Sequence, residues 1–192
     1  MTTLRLEAFS DGVIAIIITI MVLELRVPEH SDDWSALRPL VPVFLAYVLS
    51  FVFIGIYWNN HHHLLNITEQ VDGRIMWANL HLLFWLSLVP FVTSWMGQND
   101  FTSIPTAAYG VVLLMLALAF TLLQQMIISR HGPNSKIAHA MQDNMKGRLS
   151  IALYAIGIPL AFVKPLFAGA CYVAVALMWL VPDRRIEKEV GV

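Results

Sequence analysis

This sequence of 192 residues contains six long apolar blocks, and these blocks restrict its possible folds more than any other feature. Each block is close to the roughly 20 apolar residues that an α-helix needs to cross the hydrocarbon core of a bilayer. The pattern predicts an all-α integral membrane protein with six transmembrane helices, in a single domain over residues 1–192. The predicted spans cover residues of about 4–25, 41–64, 75–96, 105–128, 147–163 and 165–182.

The composition is that of a membrane protein. Hydrophobic residues make up 58% of the chain and charged residues only 13%, compared with roughly 25% charged residues in soluble domains. A net charge of −1 predicts no binding to nucleic acid. Glu7, Ser10 and Asp11 interrupt the apolar core that a cleavable signal peptide would have, so we expect the first helix to be retained.

Prolines mark the irregular parts of three blocks. Pro90 predicts a kink in the third helix, and Pro159 lies within the fifth block. The Lys164-Pro165 pair separates the fifth block from the sixth, since the residue before a proline disfavours helical backbone angles. The last two blocks therefore form either a tight helical hairpin or one kinked pair.

The distribution of Lys and Arg predicts the orientation of the chain. With six spans, nine of the twelve basic residues fall on one side of the membrane, and Arg26, Arg38 and Lys164 fall on the other. Basic loops stay preferentially on the cytoplasmic side. We therefore expect a multi-pass protein of the cell membrane with both termini in the cytoplasm.

The first block carries ionisable residues at both ends. Arg5, Glu7 and Asp11 lie near its start and Glu24 near its end. Because ionisable groups at membrane depth are unfavourable unless they face protein or water, we expect this helix to lie inside the assembled protein. Glu24 either draws cations to a pore mouth or is a solvated carboxylate at a helix end.

A stripe of Ile16, Ile20 and Leu23 follows the helical period along the first block, with Thr19 on its flank and Asp11 on the opposite side. If the stripe faced lipid, the helix would be an ordinary outer helix with Asp11 turned inward. If it faced a symmetry axis, copies of the three residues would form stacked apolar rings that close a pore by dewetting. Periodicity alone leaves both interpretations open.

A resemblance to a known family is carried by two segments, Arg5-x-x-x-Phe9-Ser10-Asp11-Gly12 and the later Trp58-x-x-His61. Together with Ile16 and Thr19 they resemble the signature of the potassium channel family known as transmembrane protein 175, in its bacterial members with one repeat. The resemblance is strongest in the first three spans and weak from the fourth onward. Because no second Phe-Ser-Asp copy is present, it implies a homotetramer, surrounded by the lipids of a bacterial inner membrane.

In that family the first helices surround the ion path, and an isoleucine constricts it. The resemblance places the constriction at Ile16, with Ile20 and Leu23 further along the same face, and assigns Thr19 to the layer that affects selectivity. It also implies a structural network that holds the pore helix against its neighbours. We expect the residues of this network to be Arg5, Phe9, Ser10, Asp11, Trp58, His61, His62 and Asn79.

The sequence predicts a potassium-preferring cation channel that has no carbonyl-lined filter, since a Thr-Val-Gly-Tyr-Gly segment is absent. Potassium ions are its expected ligands, and no cofactor, enzyme activity or metal site is expected. His61, His62 and His63 point about 100° apart on a helix and cannot converge on one metal ion. The alternative is a proton-coupled transporter or a proton-permeable pathway that uses Asp11 and the histidines of the second helix as a relay.

Overall fold

The computed structural model describes residues 2–26, 33–132 and 144–180. All regular structure in these ranges is helical, which confirms the predicted fold class. A 3₁₀ helix at Trp34–Leu40 precedes the second α-helix. The α-helices are α1 (Thr3–Leu23), α2 (Val41–Asn66), α3 (Gly73–Ser87), α4 (Val89–Gln98), α5 (Ser103–His131), α6 (Met145–Val163) and α7 (Pro165–Leu180).

Five helical segments of the described chain are long and apolar enough to cross a membrane. They are Thr3–Leu23, Trp34–Asn66, Gly73–Gln98, Ser103–His131 and Met145–Val163. Helix α7 is strongly apolar but has 16 residues, a length of about 24 Å against a hydrocarbon core of about 30 Å. The predicted sixth span ends at residues outside the described ranges, so its full crossing remains a prediction.

The helix breaks coincide with the prolines. Helix α3 ends at Ser87 and α4 begins at Val89, with Pro90 in the first turn of α4, where a proline removes no helical hydrogen bond. Lys164 has extended backbone angles (φ −156°, ψ 113°) between α6 and α7. These two helices pack against each other. The last two blocks therefore form the hairpin, whereas Pro159 lies inside a continuous α6.

Contacts between residues far apart in sequence bring several helix ends together. The Thr3 hydroxyl donates a hydrogen bond to the Thr68 carbonyl oxygen (3.0 Å), so α1 begins beside the turn between α2 and α3. Arg130 Nη2 donates to Gln70 Oε1 (2.9 Å), which brings the end of α5 to the same turn. This end of the bundle is called the basic end below. It carries Arg5, Arg74, Arg130, Lys146 and Arg148, while the remaining four predicted cytoplasmic residues (Lys136, Arg184, Arg185 and Lys188) lie outside the described ranges.

Helix α1 lies at the edge of the bundle. It packs against α2, α3 and α4, while α5 packs against α3, α4, α6 and α7 and supplies many fully buried side chains. At the other end of the bundle α4 approaches α2 closely. A Cβ atom on Gly97 would lie 2.7 Å from the Cα of Val43, so this packing requires glycine.

Candidate functional site

Helix α1 has one face in the core and one face that the rest of the chain leaves uncovered. The buried face consists of Leu6, Ser10, Ile14, Ile17 and Met21. On the uncovered side the exposed fractions are 50% for Phe9, 58% for Ile16, 44% for Ile20 and 76% for Leu23. This outward face is the predicted stripe of Ile16, Ile20 and Leu23, extended by Phe9. A continuous apolar surface of this kind is covered by lipid or by another chain.

Thr19 is also exposed and lies on the flank of the outward face. Its hydroxyl donates a hydrogen bond to the Ile16 carbonyl oxygen (2.8 Å), so the hydroxyl proton is engaged in a bond within the helix. The oxygen then presents lone pairs away from the helix. Thr19 can therefore offer an acceptor to a cation or to water beside the two isoleucines.

A chain of buried hydrogen bonds ties α1 to α2 and α3. Asn79 Nδ2 donates to Ser10 Oγ (2.9 Å), and Ser10 in turn donates to the Leu6 carbonyl oxygen (2.8 Å). Asn79 Oδ1 then accepts from His61 Nε2 (2.7 Å), which assigns the histidine proton to Nε2. Ser10 and Asn79 are completely buried and His61 is almost so. This buried chain fixes the rotation of α1, because Ser10 must stay on the core side.

A second row of contacts, closer to the surface, joins α1 to α2 alone. His62 Nδ1 lies 2.7 Å from Glu7 Oε1, and Trp58 Nε1 donates to Asp11 Oδ1 (3.0 Å). Asn66 Nδ2 donates to His62 Nε2 (2.9 Å), so a neutral His62 donates to Glu7 through Nδ1. The Trp58 and His62 rings are stacked, with centroids 6.1 Å apart.

The two rows include six of the eight residues predicted for the structural network. The Arg5 side chain is exposed and makes no hydrogen bond or ion pair with the described residues, and Phe9 lies on the outward face. Glu7 and Asn66 are additional members that the sequence analysis did not assign. A signal was present for Glu7: Glu7 and Asp11 are four residues apart, as are Trp58 and His62, so each pair lies on one helix face.

At the end of the bundle opposite the basic end, Glu24 is fixed by a helix other than its own. Ser94 Oγ donates to Glu24 Oε2 (2.7 Å) and accepts from Gln98 Nε2 (2.7 Å). These three side chains border a groove between α1 and α4 that Ile16 and Ile20 also line. A carboxylate is thus held close to one end of the outward face.

Asp11 and the histidines belong to separate contacts. Asp11 is bonded to an indole N–H, and the buried chain from His61 ends at the Leu6 carbonyl oxygen. Among the residues that the structure describes, no three His, Cys, Asp or Glu side chains come close enough to hold a metal ion.

Comparisons with known proteins agree with this arrangement. Residues 5–90 match the family model described as the endosomal/lysosomal potassium channel TMEM175. A protein of Chryseobacterium sp. (strain P1-3) named as a potassium channel is 55% identical over 188 residues, which cover 98% of this chain and 97% of that protein. A protein of Streptomyces collinus with the same designation is 33% identical over 186 residues, covering 91% of this chain and 90% of the relative.

A solved structure is also similar over nearly the whole chain. It is the crystal structure of a lysosomal potassium-selective channel TMEM175 homologue from Chamaesiphon minutus, with a TM-score of 0.81 and 28% sequence identity. The match covers 93% of this chain and 96% of that one. The family is one of ion channels and not of enzymes. The resemblance carried by the Phe9-Ser10-Asp11 signature is therefore confirmed, and this chain is a membrane protein that belongs to the TMEM175 family of potassium channels.

Proposed function

We propose that the chain is the subunit of a homotetrameric, potassium-preferring cation channel in which α1 lines the ion path. The observation that carries the proposal is the division of α1 into a side that Ser10, Glu7 and Asp11 bond to α2 and α3 and an outward face of Ile16, Ile20 and Leu23. Two relatives named as potassium channels support it. The clustering of basic side chains at one end supports cytoplasmic termini in a bacterial inner membrane.

Four copies of the outward face around an axis would form a hydrophobic gate. Ile16, Ile20 and Leu23 are spaced by about one helical turn, so their rings would be stacked about 4.5 to 6 Å apart. Narrow apolar rings expel water and stop ions. Opening requires the rings to widen or rotate until the path is wetted.

Selectivity in this proposal comes from side chains and is modest. The Thr19 hydroxyl oxygens would form a polar layer beside the apolar rings, and the Glu24 carboxylates, held by Ser94, would raise the cation concentration at one mouth. Apolar side chains do not replace the hydration shell of an ion. A filter of backbone carbonyl groups does replace it, and discriminates more strongly.

The test replaces Ile16, the residue at the proposed constriction. Ile16→Asn exchanges an apolar ring for a polar one, so we expect a larger potassium current; a barrier lowered by about 1.4 kcal/mol raises it about tenfold. The current is measured after reconstitution into planar bilayers, with reversal potentials for potassium, sodium and protons. Ile156→Asn is the matched control, because Ile156 is similarly exposed but lies on α6. An unchanged or smaller current in Ile16→Asn would contradict the gate.

The proton pathway finds less support in the contacts. A relay needs groups that accept a proton and pass it on, whereas Asp11 is bonded to an indole N–H, which keeps its proton. The same recordings discriminate between the two functions. A channel current reverses at the Nernst potential of potassium, whereas a proton-coupled carrier saturates and keeps a fixed stoichiometry.

A further inference from the structure

A cavity that no residue of α1 lines lies among α2, α5, α6 and α7. It encloses about 480 Å³ of empty space, counted with its open mouth. Its inner wall is aromatic and comes from Phe53, Tyr57, Phe120 and Tyr154. The cavity, called the slot below, is therefore mainly apolar inside and suited to an apolar ligand such as a chain of methylene groups.

Several polar groups of this cavity keep hydrogen-bonding capacity that the described residues do not use. The Tyr154 side chain is 2% exposed, and its hydroxyl has no hydrogen-bond partner among the described residues. Asn60 donates to the Ile56 carbonyl oxygen through Nδ2, so its Oδ1 stays available. Gln124 accepts from Asn144 through Oε1 (3.3 Å), and its Nε2 stays available. Tyr154, Asn60 and Gln124 line the slot and keep hydrogen-bonding capacity, so the slot is suited to a ligand with a polar part.

The mouth of the slot continues into a recess that carries positive charge. Thr121, Gln124 and Asn144 line both, and Arg148 lines the recess. The Arg148 side chain is exposed and makes no hydrogen bond or ion pair with residues in the described ranges. Amide groups beside such a guanidinium form a site for a phosphate or a carboxylate.

The position along the membrane normal favours a ligand from the bilayer. The slot and the recess lie at the basic end, where α5 ends and α6 begins. Val111, Leu118 and Leu122 form an exposed apolar strip on α5 that leads to Gln125 at the recess. Basic pockets between transmembrane helices at this depth bind anionic headgroups.

We propose that the slot and the recess together bind one anionic amphiphile. The acyl chain lies in the aromatic slot, and a phosphate or carboxylate group lies between Gln124, Asn144 and Arg148. An anionic phospholipid and a free fatty acid share this chemistry. A zwitterionic phospholipid lacks the net negative charge that Arg148 would neutralise.

The binding test uses the purified full chain in dodecyl maltoside. The added probes are dioleoyl phosphatidylglycerol, oleate and dioleoyl phosphatidylcholine, and the readouts are the thermal unfolding midpoint and native mass spectrometry. We expect phosphatidylglycerol, oleate or both to raise the midpoint by several degrees and to stay bound, and phosphatidylcholine to have little effect. Whichever of the two anionic probes is effective identifies the source of the ligand. Equal stabilisation by all three probes would overturn the proposal.

Variants separate the slot from the recess. Ala117→Phe fills the slot and should abolish the anionic effect, whereas Leu118→Phe places the same side chain on the exposed strip next to it and should keep the effect. Arg148→Gln should reduce the shift with phosphatidylglycerol to that with phosphatidylcholine. An undiminished shift in Ala117→Phe would contradict binding in the slot.

A second measurement needs no variant. Phosphatidylglycerol with a diazirine near the end of one acyl chain is photolysed with the wild-type chain, and the labelled peptides are mapped. We expect labels at Tyr57, Phe120 or Tyr154. Labels confined to Leu118, Leu122 and other exposed side chains would overturn the proposal. None of these readouts needs ion flux, so their failure would leave the proposed channel function untouched.

Discussion

At the scale of single residues, the polar groups of α1 hold this helix in its place. Ser10 is completely buried, yet its hydroxyl group both accepts a hydrogen bond from Asn79 Nδ2 and donates one to the Leu6 carbonyl oxygen. With no water in the hydrocarbon region, a buried donor that loses its acceptor costs about 1 to 3 kcal/mol. The free energy of unfolding should therefore depend on each member of the buried chain.

Ser10→Ala tests the buried chain, because it removes the acceptor of the Asn79 amide. We expect the free energy of unfolding to fall by about 1 to 3 kcal/mol, measured by denaturant titration in detergent. Ser87→Ala is the matched control, because Ser87 is exposed and bonds only to the Phe84 carbonyl oxygen of its own helix. Equal effects of the two substitutions would show that the interhelical bond contributes little.

The Asp11–Trp58 hydrogen bond is best tested by a double-mutant cycle. Asp11→Ala, Trp58→Phe and the double variant are compared by thermal unfolding and by the yield of assembled protein. We expect a coupling free energy of about 0.5 to 1.5 kcal/mol. A hydrogen bond to a charged acceptor can contribute more, but Trp58 is exposed in the single chain, and water weakens the interaction. Strictly additive effects would mean that the contact does not stabilise α1.

At the scale of helices, close approach and proline breaks determine how the elements pack. Helix α4 reaches α2 because Gly97 has no side chain there, and the break at Leu88 separates the direction of α4 from that of α3. Helix α1 packs on this region through Glu24 and Ser94. The direction of α4 therefore affects where the end of α1 lies.

Gly97→Ala should loosen this contact, because its Cβ would lie 2.7 Å from the backbone of Val43. Forced overpacking costs about 1 to 3 kcal/mol, so the unfolding midpoint should fall. In Gly55→Ala, the matched control within α2, the new Cβ meets no atom within 4 Å. That variant should be neutral or more stable by up to about 1 kcal/mol, since alanine favours helix. A stable Gly97→Ala protein would contradict the close-contact argument.

At the scale of the whole molecule, one chain leaves a face of α1 open that an assembly would cover. The proposed tetramer brings four copies of Leu23 to a common axis. In a Cys171→Ala background, Leu23→Cys should form disulfide-linked dimers under mild oxidation, and light scattering of the reduced protein should give a mass of four chains. Leu166→Cys, on the exposed side of α7, is the control and should stay unlinked. Efficient linkage of Leu166→Cys alone would contradict an axis at α1.

Much of the fold could be predicted from local patterns. Span lengths, the breaks at Pro90 and Lys164-Pro165, and the stripe of Ile16, Ile20 and Leu23 depend on residue type and helical period alone. The family could be recognised from the Phe9-Ser10-Asp11 segment. The contacts of the site were harder to predict from the sequence, because each polar residue in the second and third helices was a candidate partner for Asp11.

The sequence by itself determined the helices, their breaks and the apolar face of α1, because apolar length, proline geometry and periodicity act within one segment. Only the tertiary structure decided which polar groups meet. Asp11 meets Trp58, Glu7 meets His62, and Ser10 meets Asn79 because α1 packs on α2 and α3 in one particular register. A shift of one residue would turn these side chains about 100° away. The observed register is selected because it buries many side chains from different helices together, and no single segment encodes that.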